Sequence, residues 1–202
     1  MNRYSHILMG ELIYEYTRKV HGIQLDKESF IKGCVIPDFS YYAVAHPHFM
    51  KFSLGYIQAE IEALSKTHLK SAFVGSNYSY RVGIICHYFA DFFCFAHSKG
   101  YKQVVVNHLK YEHLLYEYFM ESFDEIAQLK YASYDDISAS ADEINDRLLS
   151  FHSQYSEAAP SYSNDLSFAL KACAGTVISL VRCSCLQTAY MSLQNFAEAA
   201  AV

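Results

Sequence analysis

Hydrophobic side chains recur three or four positions apart along most of the chain, a spacing that buries one face of an α-helix. The first such stripe covers residues 3–20 and is followed by Gly22, a residue typical of a helix end. A short helix is predicted from the capping residue Asp26 to Gly33, and another over residues 54–64. The pattern contains no hairpin signal and no internal repeat.

The most apolar helix is predicted in the middle of the chain, from about residue 79 to Gly100. Hydrophobic residues surround it on nearly all sides, which indicates a central and buried position. Three later helices are predicted, over about 104–129, from the capping-box-like Ser133-x-x-Asp136 through Phe151, and from Asp165 to about Phe196. We therefore predict an all-α fold, a single-domain helical bundle over residues 1–202.

Two polar residues, His87 and Asp91, interrupt the central apolar helix four positions apart. They share one helix face, and burial of Asp91 costs several kcal/mol unless a cation or hydrogen bonds compensate. His108 and Glu112 repeat this spacing on the next helix, and His97 stands between the two pairs. A helix that continued to His97 would turn it about 80° from His87, towards a second ion. Imidazole and carboxylate groups are ordinary zinc ligands, so this region predicts a metal site.

Four further residues outside the central region are candidate ligands, with His46 and His48 as alternatives to each other. Asp38 follows a proline in a predicted turn, where it is also a common turn former. His46 and His48 lie on either side of a proline in an aromatic loop, where a hydrogen-bonded histidine is an alternative to a ligand. His6 lies near the start of the first helix and has an ordinary interpretation as a partly exposed side chain.

The charge balance and the distribution of charged residues disfavour some classes of function. The formal net charge is -5, with 16 basic and 21 acidic residues, so duplex nucleic acid is not expected as a partner. Glu11 and Glu15 interrupt the region where a secretion signal would need an apolar run, and we expect a cytoplasmic protein. Lys171 and Arg182 interrupt the most apolar segment, so no transmembrane helix is predicted.

The six cysteines lie mostly in apolar helical surroundings. We interpret them as buried thiols rather than disulfides, in agreement with the expected compartment. Cys183 and Cys185 form C-x-C, which lacks the second pair of a zinc ribbon and gives little support for a metal site.

Seven candidate ligands follow one another in a distinctive order: Asp38 after Pro37, His48, H-x-x-x-D at His87 and Asp91, His97, and H-x-x-x-E at His108 and Glu112. This order resembles the bacterial zinc-dependent phospholipase C family, whose all-helical fold is shared with single-strand-specific zinc nucleases. The likeness covers roughly residues 1–125, which carry the site motifs, while residues 126–202 match only as packing helices.

The resemblance implies two zinc ions and leaves a third open. The first would be held by Asp38, His48, His87 and Asp91, and the second by His97, His108 and Glu112. In this family a third zinc is bound by an early histidine, which His6 matches, by the bridging aspartate, which Asp91 matches, and by an amino-terminal tryptophan. The chain contains no tryptophan, so two zinc ions are predicted.

The resemblance also implies a reaction, the hydrolysis of a phosphodiester bond by metal-activated water, with Asp38 as ligand and catalytic base. The substrate would be a phospholipid or a soluble phosphoester. Tyr41, Tyr42 and Phe49 would then offer an aromatic wall for a cationic choline head, or simply pack at the rim. One alternative is a helical protein that binds zinc without turnover, which the missing tryptophan favours. Another is a single-strand nuclease, which the acidic balance opposes. The oligomeric state is not predicted.

Overall fold

The computed structural model describes residues 1–39, 44–101, 105–131 and 137–199, and this part of the chain contains eight α-helices and two very short strands. The all-α prediction is confirmed. The helices are α1 (Arg3–His21), α2 (Lys27–Val35), α3 (Met50–Ser65), α4 (Ser76–Phe92), α5 (Val105–Glu121), α6 (Phe123–Ala127), α7 (Ala141–Glu157) and α8 (Tyr162–Ala199). Two 3-10 helices, Ile36–Phe39 and Phe95–His97, follow α2 and α4, respectively.

Helix α4 lies at the centre of the core, as its apolar sequence predicts. Every residue from Val82 to Phe92 is buried, and the helix packs against α2, α3 and α8. Its aromatic residues Tyr88 and Phe89 are among the largest fully buried side chains. Because the helix is enclosed on all sides, a polar residue on it faces protein rather than water.

Two glycines allow α2 and α4 to approach each other closely. A Cβ atom added to Gly33 would lie 2.1 Å from the carbonyl oxygen of Tyr80, and one added to Gly83 would lie 2.2 Å from that of Phe30. The prediction that Gly33 ends the second helix is wrong, because α2 continues to Val35. This glycine provides space for a neighbouring backbone, and the close contact brings the end of α2 beside the carboxyl half of α4.

The predicted helix from about residue 79 to Gly100 is also wrong at both ends. Helix α4 begins at Ser76 and ends at Phe92. Cys94 has an extended backbone (φ -114°, ψ 123°), so the chain leaves the helix axis before it enters the second 3-10 helix. As a result, His97 does not continue the α4 surface but turns back towards it.

The other boundaries differ less from prediction. Helices α1 and α3 contain the predicted segments 3–20 and 54–64, whereas the single helix predicted over 104–129 is divided into α5 and α6 at Ser122. Val104, Ser133 and Asp136 lie outside the described residues. Helix α7 begins at Ala141, where Ser140 accepts a hydrogen bond from the Glu143 amide at 3.2 Å. The last helix extends beyond its predicted ends at both termini.

A small parallel pairing joins Gln24–Leu25 (β1) to Phe73–Val74 (β2). The Gln24 amide donates to the Ala72 carbonyl oxygen at 2.9 Å, and the Asp26 amide donates to that of Val74 at 3.2 Å. Two residues per strand are too few to produce an alternating pattern, so this pairing is not predictable from the sequence.

The sequence predicts that the apolar carboxyl-terminal helix does not span a membrane. Within the described residues, Tyr162–Leu186 of α8 is long and apolar enough to span a membrane, but 78% of its most apolar window is buried inside the protein. Core helices have the same composition, so the segment is weak evidence for a span. All six cysteines are free, and each is buried except Cys185, which is half-buried.

Candidate metal centre

Six segments of the chain bring the eight predicted ligands into one cluster with Asp91 at its centre. The ligands are His6 on α1, Asp38 on the first 3-10 helix, His48 before α3, His87 and Asp91 on α4, His97 on the second 3-10 helix, and His108 and Glu112 on α5. The side chain of Asp91 is completely buried. Residues far apart in sequence therefore meet around one carboxylate.

The first group of donors consists of Asp38, His48, His87 and one oxygen of Asp91. Asp38 Oδ1 lies 3.6 Å from His48 Nδ1 and 3.7 Å from His87 Nε2. Asp91 Oδ2 lies 3.1 Å from His48 Nδ1 and 3.5 Å from His87 Nε2. These are the four residues that the resemblance implies for one zinc ion.

The second group consists of His97, His108 and Glu112. Glu112 Oε1 lies 3.1 Å from His97 Nε2 and 3.1 Å from His108 Nε2. The break after Phe92 is what allows this arrangement, because it carries His97 across to α5. His97 Nε2 also lies 3.6 Å from Asp91 Oδ1, so the second group adjoins the first through the Asp91 carboxylate.

The second oxygen of Asp91 faces a third group of donors. Asp91 Oδ1 lies 3.4 Å from His6 Nε2 and contacts the amino group of Met1. That amino group lies 3.1 Å from Glu112 Oε1 and 3.2 Å from His97 Nε2. The absence of tryptophan predicted no amino-terminal ligand for this group, and the Met1 nitrogen was not among the predicted ligands. No residue pattern marks a main-chain amino group, so only the fold reveals its position.

The geometry and the missing hydrogen bonds fit zinc. Zinc binds nitrogen and oxygen at about 2.0–2.2 Å, so two donors in a tetrahedral site are separated by about 3.3 Å. The separations of 3.1–3.7 Å in the first two groups lie around that value. The buried atoms His6 Nε2, His87 Nε2 and Asp91 Oδ2 have no hydrogen-bond partner among the residues that the structure describes. A buried polar atom without a partner costs about 1–3 kcal/mol, and a bound cation would compensate that cost.

Backbone carbonyl groups fix the orientation of two of the imidazoles. His87 Nδ1–H donates to the carbonyl oxygen of Cys34 at 2.9 Å, and His108 Nδ1–H donates to that of Ala96 at 3.2 Å. Each bond directs the unprotonated Nε2 atom into the cluster, as is usual for metal-ligating histidines. The contact with Cys34 depends on the close approach of α2 and α4.

Burial and charge set the protonation states that metal ligands require. Burial lowers the pKa of both His87 and His97, so these imidazoles are neutral at pH 7. Burial alone would raise the pKa of Asp91, but His97 and the Met1 amino group lower it well below its usual value. These two neutral imidazoles and the ionised Asp91 are in the forms that metal binding requires. Although burial acts in the opposite direction, Asp91 raises the pKa of both His48 and the Met1 amino group, so a metal bound there would displace protons from them.

The structure also distinguishes the two histidines of the aromatic loop. His48 lies beside Asp91, whereas the ring of His46 stacks on that of Tyr56 with centroids 3.8 Å apart. Of the proposed aromatic wall, Tyr41 and Tyr42 lie outside the described residues. The ring of Phe49 lies 5.5 Å from that of His97 and thus borders the cluster.

A family model for zinc-dependent phospholipase C matches residues 5–162 of the chain. The matched part is most of the chain and includes all eight predicted ligands. The chain belongs to the zinc-dependent phospholipase C family. Comparisons with curated proteins and with solved structures found no match. Zinc dependence is thus a property of the family, and the donor groups of this phospholipase C family member could hold the metal.

A second buried carboxylate supports the centre from α8, just beyond the part matched by the phospholipase C family. Asp165 accepts hydrogen bonds from the Phe95 amide at 3.0 Å, the Tyr111 hydroxyl at 3.0 Å and the Tyr155 hydroxyl at 2.8 Å. Burial raises its pKa to about 6, although these hydrogen bonds act in the opposite direction. Phe95 belongs to the 3-10 helix that carries His97, and Tyr111 precedes Glu112. Asp165 therefore fixes two segments that carry candidate ligands, although it lies in the region predicted to contain only packing helices.

Proposed function

We propose that this protein is a zinc-dependent hydrolase of phosphodiester bonds, similar in reaction to phospholipase C. The observation that carries the proposal is the clustering of seven candidate ligand side chains around an eighth, Asp91, with buried donor atoms that have no hydrogen-bond partner in the described part of the chain. Family membership supports the choice of zinc and of a phosphoester substrate. Neither a helical scaffold nor composition alone would favour this chemistry.

Zinc ions held by these groups would lower the pKa of water and offset negative charge on phosphate oxygens. The chain would contribute the base. The side chain of Asp38 is 20% exposed, whereas that of Asp91 is fully buried, so Asp38 is the carboxylate that solvent can reach. We assign Asp38 as both ligand and general base, and Asp91 as the ligand shared between groups.

The reaction consumes one water molecule. Its oxygen forms a bond to phosphorus while the bond from phosphorus to the leaving oxygen breaks. Asp38 accepts a proton from the attacking water, and the leaving alkoxide takes up a proton to become an alcohol. The products are a phosphomonoester and an alcohol, which for a phospholipid would be a phosphorylated headgroup and a diacylglycerol.

A combined measurement of metal and activity tests the proposal. We expect at least two zinc ions per chain, located at the Asp91-centred groups by anomalous scattering at the zinc edge. We also expect hydrolysis of bis(p-nitrophenyl) phosphate that a chelator abolishes and added zinc restores. A matched pair on α5 gives the control: His108→Ala should lose zinc and activity, whereas His113→Ala should keep both because His113 is exposed and pairs with Glu117.

Three outcomes would contradict the proposal. A protein without zinc would remove the metal centre. Zinc without turnover of any phosphodiester would indicate a zinc-binding protein that has lost catalysis. Degradation of single-stranded DNA in preference to small diesters would indicate a nuclease on the same scaffold.

A further inference from the structure

A cavity of about 630 Å³ lies beside the metal centre, and His97 forms part of its wall. Its volume is within the range of small-molecule binding sites. The walls come from three places in the chain: Phe49 and Lys51 at the start of α3, Phe95 to Gly100 around the second 3-10 helix, and His152 to Pro160 at the end of α7. The carboxyl-terminal third of the chain, predicted only to pack, therefore forms one side of a chamber next to the ligands.

The charges around this cavity differ from those of the whole protein. Lys51 and Lys99 line the cavity, and the described residues that line it include no aspartate or glutamate. The chain as a whole carries a formal charge of -5, so the positive character is local. His152 is also in the wall. Burial lowers the pKa of its imidazole, and the nearby charge of Lys99 lowers it further.

We propose that this cavity binds a part of the substrate that carries an anionic group in addition to the scissile phosphodiester. The inference depends on the proposed function, because it names the class of substrate for the same centre. The described residues place no aspartate or glutamate in the wall beside these two ammonium groups, which attract an anion and repel a cation. A cationic choline head, one of the two roles considered for the aromatic loop, is therefore disfavoured here.

The test uses pairs of substrates that differ by one carboxylate. In the lipid arm, turnover of phosphatidylserine is compared with that of phosphatidylethanolamine, each in neutral detergent micelles. In the soluble arm, glycerophosphoserine is compared with glycerophosphoethanolamine. We expect the serine compound to have the higher kcat/KM in at least one arm, and the arm with the larger value identifies a lipid or a soluble substrate.

Charge-reversal variants connect the preference to the cavity. The double variant Lys51→Glu/Lys99→Glu should reduce the serine-to-ethanolamine ratio of kcat/KM about tenfold, which corresponds to about 1.4 kcal/mol. The control is Lys70→Glu, which makes the same charge change at an exposed lysine outside the cavity wall and should leave the ratio unchanged. Zinc content, measured in each variant, shows whether the metal centre is intact.

Binding measurements separate failure of this inference from failure of the proposed function. Titration calorimetry of zinc-loaded protein with the two soluble compounds reports the same preference without turnover. Tighter binding of glycerophosphoserine that the double variant removes would support the cavity even if no substrate were hydrolysed. Equal binding and equal turnover of both compounds, or a preference that the double variant retains, would overturn it.

Discussion

Two aspartates in the described part of the chain are completely buried, and their surroundings differ in kind. Asp165 is surrounded by hydrogen-bond donors: one main-chain amide and two tyrosine hydroxyls. Asp91 contacts the Met1 amino group through Oδ1, but its Oδ2 atom faces the imidazole nitrogens of His48 and His87 and has no hydrogen-bond partner among the described residues. A carboxylate surrounded by N–H and O–H donors obtains its hydrogen bonds from the protein itself. A carboxylate oxygen that faces unprotonated imidazole nitrogens requires a cation between them, so the kind of neighbour distinguishes a structural carboxylate from a candidate metal ligand.

The same substitution at the two positions is the strongest test of this difference. Asp91→Asn removes the charge of the proposed shared ligand, and we expect loss of zinc and a decrease in kcat/KM of about a thousandfold or more, the scale of lost transition-state stabilisation. Metal analysis and the bis(p-nitrophenyl) phosphate assay measure both effects. The control is Asp146→Asn, which replaces a carboxylate by an amide at an exposed position on α7 and should leave zinc and activity unchanged. A protein that kept full zinc and activity without the Asp91 carboxylate would remove the distinction.

Asp38→Asn should have the next largest effect, and it separates two roles within the centre. If Asp38 is the base, kcat falls about 10²–10⁴-fold, the usual contribution of general base catalysis, while zinc content changes much less. Parallel measurements of kcat and zinc stoichiometry decide the question. Equal losses of kcat and zinc would reduce Asp38 to a structural ligand.

The part of the centre that was predictable from sequence is the part set by local geometry. His87 and Asp91 share a helix face because the helical repeat places residues four apart on one side, and the same holds for His108 and Glu112. The central position of α4 followed from its apolar surface. The grouping of distant ligands, in contrast, came from resemblance to a family and not from spacing.

The features that were missed depend on contacts between distant segments. The position of His97 requires α4 to end at Phe92, and a carboxylate about 70 residues later holds the following turn through the Phe95 amide. Gly33 lies inside α2 rather than at its end, where it leaves room for the backbone of α4. No local signal indicates this contact. Nor does any local signal place the Met1 amino group beside Asp91. Tertiary contacts override local propensity at each of these points.

Asp165→Asn should affect stability more than chemistry. The amide replaces one accepting oxygen by a donor that faces other donors, so we expect the free energy of unfolding to decrease by about 1–3 kcal/mol. Urea denaturation of the zinc-loaded protein measures this change, and metal analysis should still find zinc. If zinc were lost as completely as in Asp91→Asn, the two carboxylates would not differ in role.

Tyr111→Phe is the smallest change and tests the Asp165 network one bond at a time. The variant removes a single hydroxyl that donates to Asp165 Oδ2, while the Phe95 amide still donates to the same oxygen. We expect the free energy of unfolding to decrease by about 1 kcal/mol, the net contribution of one hydrogen bond. Zinc content should be unchanged, because the ring remains and Glu112 keeps its place on α5. A loss as large as that of Asp165→Asn would show that Tyr111 alone carries the network, whereas no loss would show that the Phe95 amide and Tyr155 are sufficient to hold Asp165.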